Sequence, residues 1–247
     1  MLARWLSISV VLLSCKRGPS TTDNAAPTTE KASMPRSAQA ESGLRSARCL
    51  GPTNATSFAI YLHGMDGQTP SDQEIGNREV LASIAERLSM RIALPRSTRA
   101  CPTQKGSICW GWSFDDTELD EATSTLRAAA ATCFGDKPVV LVGFSNGGYL
   151  LTRLVSTCTL GRRMPRATRV VTVGSGNLSA PLGPQPTSLA DCGELTMLVG
   201  ERDQYNFDPK GNLLKELHAK NANAREVRFD GGHLLVTEPL ERVLSTR

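Results

Sequence analysis

Residues 139–148 read Val-Val-Leu-Val-Gly-Phe-Ser-Asn-Gly-Gly, so four apolar strand formers lead into Gly-x-Ser-x-Gly, and a helix-compatible stretch, Tyr149 to Thr157, follows. A serine at such a strand-to-helix turn is a nucleophile elbow. Its backbone is strained, and the flanking glycines let the chain and a substrate approach closely. The chemistry on offer is acyl transfer, with Ser145 as the nucleophile. Because the motif alone also fits an ordinary strand-helix turn, its partners carry the argument.

A serine hydroxyl needs a base, and the chain has three histidines, His63, His218 and His233. His218 lies in a segment, Lys210 to Asn221, that reads as a polar-faced helix and predicts solvent exposure. His63 ends the strand Phe58 to Leu62 and opens His63-Gly64-Met65-Asp66-Gly67, a place from which to hold a loop. His233 follows the strand Val227 to Phe229, within Asp230-Gly231-Gly232-His233, and is the base by elimination and position. Behind an elbow serine the partners run in the order serine, acid, histidine, so the acid belongs at a strand end between residues 145 and 233. Leu195 to Val199 is such a strand, and Gly200-Glu201-Arg202-Asp203 follows it. Asp203 is assigned as the acid that would fix the His233 tautomer and stabilise its imidazolium, with Glu201 as the rival. Asp208 is better placed than Asp203 to cap the following helix. An oxyanion hole is expected from the backbone amides of Asn146 and Met65.

These residues resemble the small α/β-hydrolases of the phospholipase/carboxylesterase and acyl-protein thioesterase group, with dienelactone-hydrolase-like enzymes as relatives. The resemblance rests on Leu62-His63-Gly64-Met65, Gly143-Phe144-Ser145-Asn146-Gly147-Gly148, Gly200-Glu201-Arg202-Asp203 and Gly231-Gly232-His233. Trp112-Ser113-Phe114-Asp115 is similar to a tryptophan-phenylalanine-aspartate element of that group. Two departures stand out. The group usually has glutamine where Asn146 stands, and it orders the oxyanion-loop glycine and aspartate differently from Met65-Asp66-Gly67.

At the N-terminus, Arg4 precedes an apolar run, Trp5 to Leu13, and Leu12-Leu13-Ser14-Cys15 matches a bacterial lipobox. At about ten residues the run is too short to span a bilayer, so residues 1–14 read as a lipoprotein signal peptide and Cys15 as the lipidated residue. Two or more acyl chains there would tether the protein to a membrane stably. The expected location is the bacterial cell envelope, facing an oxidising compartment, periplasm or cell surface. Residues 15–48 read as a disordered tether, because Lys16 to Arg48 holds no aromatic or β-branched aliphatic residue and is rich in Ser, Thr, Ala and Pro. This stretch carries +3 and Arg4 adds +1, which accounts for the whole formal net charge of +4. The remainder is neutral and gives no warrant for nucleic-acid binding.

Residues 49–247 fit one catalytic domain. Strands are predicted at 58–62, 91–94, 138–142, 169–173, 195–199 and 225–229, alternating with helices near 72–89, 116–133, 147–158, 209–221 and 236–245. Such alternation implies an α/β fold with a doubly wound, mainly parallel sheet of about six strands. Too little chain precedes the first strand for a leading antiparallel hairpin, and no insertion is long enough for a lid domain. Six cysteines remain beside Cys15, and in an exported chain disulfides are the default. Topology favours Cys101 with Cys109 on the catalytic side of the sheet, and Cys49 with Cys133 and Cys158 with Cys192 on the opposite side. No Cys-x-x-Cys spacing suggests zinc, and the chemistry requires no metal or organic cofactor. Trp110 and Trp112, with Phe114, could form an aromatic wall for the substrate or simply anchor a long loop.

The expected activity is a serine hydrolase cleaving a carboxylic ester through a Ser145 acyl-enzyme. A peptidase or polyester depolymerase on the same triad is a second possibility, and a non-catalytic cell-envelope binding protein with a hydrolase fold is a third.

Overall fold

The run Val139–Phe144 is buried at every position, which a strand tolerates only when both faces of its sheet are covered. The sheet is built outward from it in a computed structural model that describes residues 43–100, 110–113, 115, 117–175, 192–205, 212–219 and 223–246. All of these lie in the compact unit Pro35–Arg247. The signal sequence, Cys15, most of the expected tether, Cys101, Cys109 and Phe114 lie outside the described residues.

Seven strands are present among the described residues: β1 (Cys49–Leu50), β2 (Ser57–Leu62), β3 (Met90–Ala93), β4 (Val139–Phe144), β5 (Ala167–Val173), β6 (Glu194–Gly200) and β7 (Asn223–Phe229). Their order is β1-β3-β2-β4-β5-β6-β7. Every pair is parallel except β1 with β3, where Cys49 faces Ala93. The helices are α1 (Asp72–Arg87), α2 (Leu119–Cys133), α3 (Asn146–Ser156), α4 (Leu160–Arg163), α5 (Asn212–Ala219) and α6 (Thr237–Ser245). Alternate residues of each strand feed two cores. Ile60, Leu62, Leu141, Leu195 and Met197 pack with Leu126, Leu150, Leu154 and Leu217 of α2, α3 and α5. Ala59, Tyr61, Val142, Phe144 and Leu198 pack on the other face with Leu81, Ile84, Leu240 and Val243 of α1 and α6. The sheet is therefore doubly wound. The chain steps from β2 to β3 on one side and returns to β4 on the other, so the carboxyl ends of β2 and β4 form the switch point where such sheets bind ligands.

Two expectations need correcting. An antiparallel edge does exist, reduced to the two residues of β1, too short to leave a period in the sequence. The sulfur of Cys49 is bonded to that of Cys133, which fixes β1 to the end of α2. The tether also ends sooner than residue 48, since residues 43–46 form a helical turn. The Arg78 guanidinium donates to the carbonyl oxygens of Leu44 at 2.7 Å, Arg45 at 3.2 Å and Ala47 at 3.4 Å. Composition misses such docking because the acceptors are backbone atoms.

Arg78 is the keystone of a buried polar cluster on α1. The helix starts at the N-cap Ser71, whose hydroxyl accepts from the Glu74 amide at 3.3 Å. The Glu74 carboxylate accepts from Arg78 Nε and from the Tyr61 hydroxyl, each at 3.0 Å, and Asn77 donates to that hydroxyl at 3.2 Å. Burial pushes the Glu74 carboxyl above its ordinary range despite the Arg78 charge. Burial and the adjacent Glu74 carboxylate push the Tyr61 phenol well up. Because both charges are only 2% and 4% exposed, Arg78→Ala strands a buried carboxylate and is expected to cost about 3–5 kcal/mol in urea unfolding. The double variant Arg78→Met with Glu74→Leu should recover most of that loss, since it removes both charges and keeps the volume.

Candidate active site

Gly143 and Gly147 set the geometry from which everything else follows. A Cβ on Gly143 would lie 2.6 Å from the Gly147 carbonyl oxygen, and one on Gly147 would lie 2.4 Å from that of Leu62. With both side chains absent, the start of α3 presses against the ends of β4 and β2. Ser145 sits between them at φ 49° and ψ −116°, a conformation that L-residues rarely adopt. Its amide donates to the Val173 carbonyl at 2.8 Å, tying the turn to β5.

The residue after Val173 shows what lies alongside. Gly174 has φ +63°, and a Cβ there would stand 2.8 Å from His233 Nδ1 and 3.2 Å from Asp203 Oδ2. His233 Nδ1 lies 3.0 and 3.1 Å from the two Asp203 carboxylate oxygens. The Asp203 side chain is 1% exposed and that of His233 16%. The Asp203 carboxylate also accepts from the Tyr205 amide at 2.8 Å, and the Gln73 side chain donates to the His233 carbonyl at 3.1 Å. Phe144, adjacent to Ser145, packs its ring 4.9 Å from the imidazole. Ser145, Asp203 and His233 thus follow β4, β6 and β7 at the carboxyl edge of the sheet, with Phe144 and Gly174 packed against the His233–Asp203 pair. Glu201 is exposed, and its amide donates to the Phe229 carbonyl at 3.0 Å. Exposed His218 contacts the Ala224 carbonyl through Nε2.

His63 holds the opposite wall, in a role the sequence only outlined. Its carbonyl accepts from the Gly147 amide and from the Trp112 indole, both at 3.1 Å. Its Nε2 accepts from the Ser97 amide at 3.1 Å, which leaves Nδ1 to donate to the Gly64 carbonyl at 2.5 Å. One residue therefore joins the β2 loop, the β3 loop and the elbow. The next loop residues are held in turn. Asp66 pairs with the Trp110 backbone, and its carboxylate accepts from Arg96 at 2.5 Å and from the Ser71 amide at 3.0 Å. Burial works to raise the Asp66 carboxyl, but Arg96 and Ser71 outweigh it and hold it below its ordinary range.

Met65 and Asn146 flank the serine on these two elements. A Cβ on Gly64, next to Met65, would lie 3.2 Å from the Ser145 Cβ. The amide of Asn146, the first residue of α3, has no carbonyl one turn back to bond within that helix. The Asn146 side chain serves elsewhere: its oxygen accepts from the Trp112 amide and its nitrogen donates to the Trp112 carbonyl at 3.2 Å. Trp112, one of the two tryptophans expected as a substrate wall, is instead a core residue at 4% exposure. Its apolar body belongs to the same core as Leu62 and Leu150, and its indole donates to the His63 carbonyl. Trp110 is part-exposed and pairs its backbone with Asp66. Cys158 is bonded to Cys192; with Cys49–Cys133 this gives two of the expected pairings, although Cys49 faces Ala93 at the carboxyl end of β3 rather than the opposite side of the sheet.

Burial, and secondarily the Arg96 charge, push the His63 pKa from 6.5 down to about 4. The folded state thus resists a proton that the unfolded chain accepts near pH 6.5. The stability tied to neutral His63 is complete above pH 6.5 and is lost as pH falls through that value toward 4. At 1.36 kcal/mol per unit the loss amounts to roughly 3 kcal/mol. Glu74, with its raised pKa, works in the opposite sense, and Asp66 acts only below its ordinary value of 3.8. The difference between wild type and His63→Gln in urea unfolding at pH 7 and pH 4 isolates the histidine. The variant should lose less stability on acidification.

No family model matches the chain, and no curated protein does. Solved structures do. The structure of YahD with malic acid is similar at a TM-score of 0.54 and 15% identity, over 79% of this chain and 95% of that one. A carboxylesterase from Mesorhizobium loti gives 0.54 and 15%, over 76% and 86%. The Bacillus cereus carboxylesterase gives 0.53 and 15%, over 79% and 89%. At these identities the likeness bears on the fold, which is that of the α/β-hydrolases.

Proposed function

We propose that the chain is a serine hydrolase that cleaves carboxylic esters through an acyl-enzyme on Ser145. The observation that carries this reading is the strained Ser145 beside the His233–Asp203 pair, packed together around Gly174 and Phe144. Ser145 Oγ attacks the ester carbonyl carbon while His233 Nε2 takes the hydroxyl proton. The amides of Met65 and Asn146 receive the oxyanion, the latter helped by the positive end of α3. Collapse of the tetrahedral intermediate breaks the bond to the leaving oxygen, and His233 returns the proton to it as the alcohol departs. Water repeats the sequence and releases the acid and free Ser145. Asp203 keeps the proton of His233 on Nδ1 and balances the imidazolium charge.

Ser145→Ala should abolish fluorophosphonate labelling and lower turnover on the order of a millionfold. Asp203→Asn should fold normally by circular dichroism and still lose activity steeply, because the imidazole is then held in the wrong tautomer. Glu201→Gln should stay within about tenfold, a barrier change of roughly 1.4 kcal/mol. A severe loss for Glu201→Gln beside a nearly active Asp203→Asn would move the acid to Glu201.

The same reading places the protein in the cell envelope on a lipid anchor at Cys15. The lipobox-like Leu12-Leu13-Ser14-Cys15 supports this, as do two disulfides of the kind that persist in oxidising compartments. Among the described residues no helix is long and apolar enough to cross a membrane. Cys15→Ser should stall processing or release the protein from membranes. An unmodified mature N-terminus by intact mass would refute the anchor and leave the triad untouched.

A further inference from the structure

Three large apolar side chains stay exposed among the described residues: Met65 at 64%, Tyr205 at 49% and Leu234 at 44%. Apolar side chains scattered singly over a surface carry no message. These are gathered at one edge. Met65 follows β2 in the oxyanion loop, Tyr205 stands two residues after Asp203, and Leu234 is next after His233.

Tyr205 is the most closely defined of the three. Its amide holds the Asp203 carboxylate, its carbonyl accepts from the Tyr149 hydroxyl at 3.4 Å, and its ring centroid lies 4.8 Å from the imidazole at a 58° tilt. The other ring on that imidazole belongs to Phe144, which is 3% exposed. Of the two, only Tyr205 offers surface to an incoming molecule.

The chemistry of acyl transfer makes this position informative. His233 must deliver its proton to the leaving oxygen, so the substituent on that oxygen passes beside whatever covers the imidazole on its open side. Arg202 and Asp230, which stand close in sequence to Asp203 and His233, are paired with each other. Among the described residues the alcohol side thus presents an aromatic and an aliphatic side chain. We propose that Tyr205 and Leu234 form the subsite for the alcohol part of the ester and favour a planar apolar alcohol, such as a phenol, over a small alkyl one. This inference rests on the serine-hydrolase reading.

The test compares kcat/KM for phenyl acetate and methyl acetate in the wild type, Tyr205→Ala and Tyr205→Phe. Taking each variant's phenyl-to-methyl ratio relative to wild type cancels the intrinsic reactivity of the two esters. Tyr205→Ala should lower that ratio roughly tenfold, chiefly through KM for the phenyl ester, and Tyr205→Phe should keep it. An unchanged ratio in Tyr205→Ala, including an equal loss on both esters, overturns the subsite and reduces Tyr205 to holding the Asp203–His233 pair. A wild type that hydrolyses neither ester and takes no fluorophosphonate at Ser145 overturns the hydrolase reading itself, and the subsite with it.

Discussion

The close approach of Gly147 to the end of β2 is the contact on which the site depends. The amide of Gly147 donates to the His63 carbonyl, and the space a Cβ would need is taken by the Leu62 backbone. With the start of α3 so near, the loop after β2 runs alongside Ser145, where a Cβ on Gly64 would lie 3.2 Å from the Ser145 Cβ. Parallel pairing of β2 with β4, Leu62 facing Gly143, sets the register that makes the approach possible. Apolar burial on both faces of β4 stabilises that register, because a one-residue slip would exchange the residues of the two cores.

The parts of the site that were legible in the sequence are those in which one residue type does one job at a strand end. An elbow serine, an acid after β6 and a histidine after β7 can be read from order and spacing, since loops at the carboxyl ends of parallel strands converge. The main elements were legible for the same reason: apolar runs alternate with amphipathic stretches. What stayed hidden depends on backbone atoms or on a side chain's direction. Nothing in the composition of residues 43–48 announces that their carbonyls dock on Arg78, and β1 is too short to carry a pattern. Trp112 could have faced the substrate or the core. Its neighbour in space, Asn146, decides the matter by gripping the Trp112 backbone from both sides.

Two histidines show how burial divides labour between like residues. His63 is enclosed, kept neutral by burial with an Arg96 charge nearby, and uses both ring nitrogens and its carbonyl to hold backbone. His233 keeps Nδ1 on a buried carboxylate while its ring stays partly open. A residue whose hydrogen bonds are all committed can organise a loop. One with a free ring edge can move a proton.

Two kinds of closure hold the described residues. Disulfides tie neighbouring elements: Cys49–Cys133 joins β1 to the end of α2, and Cys158–Cys192 joins the chain after α3 to the approach to β6. Covalent closure of such long loops restricts the unfolded chain. The described residues around Ser145 are held by reversible contacts: backbone hydrogen bonds, the Asp66–Arg96 pair and rings packed on His233. Contacts of this kind fix atoms to within a hydrogen-bond length yet let a loop yield by a fraction of an ångström.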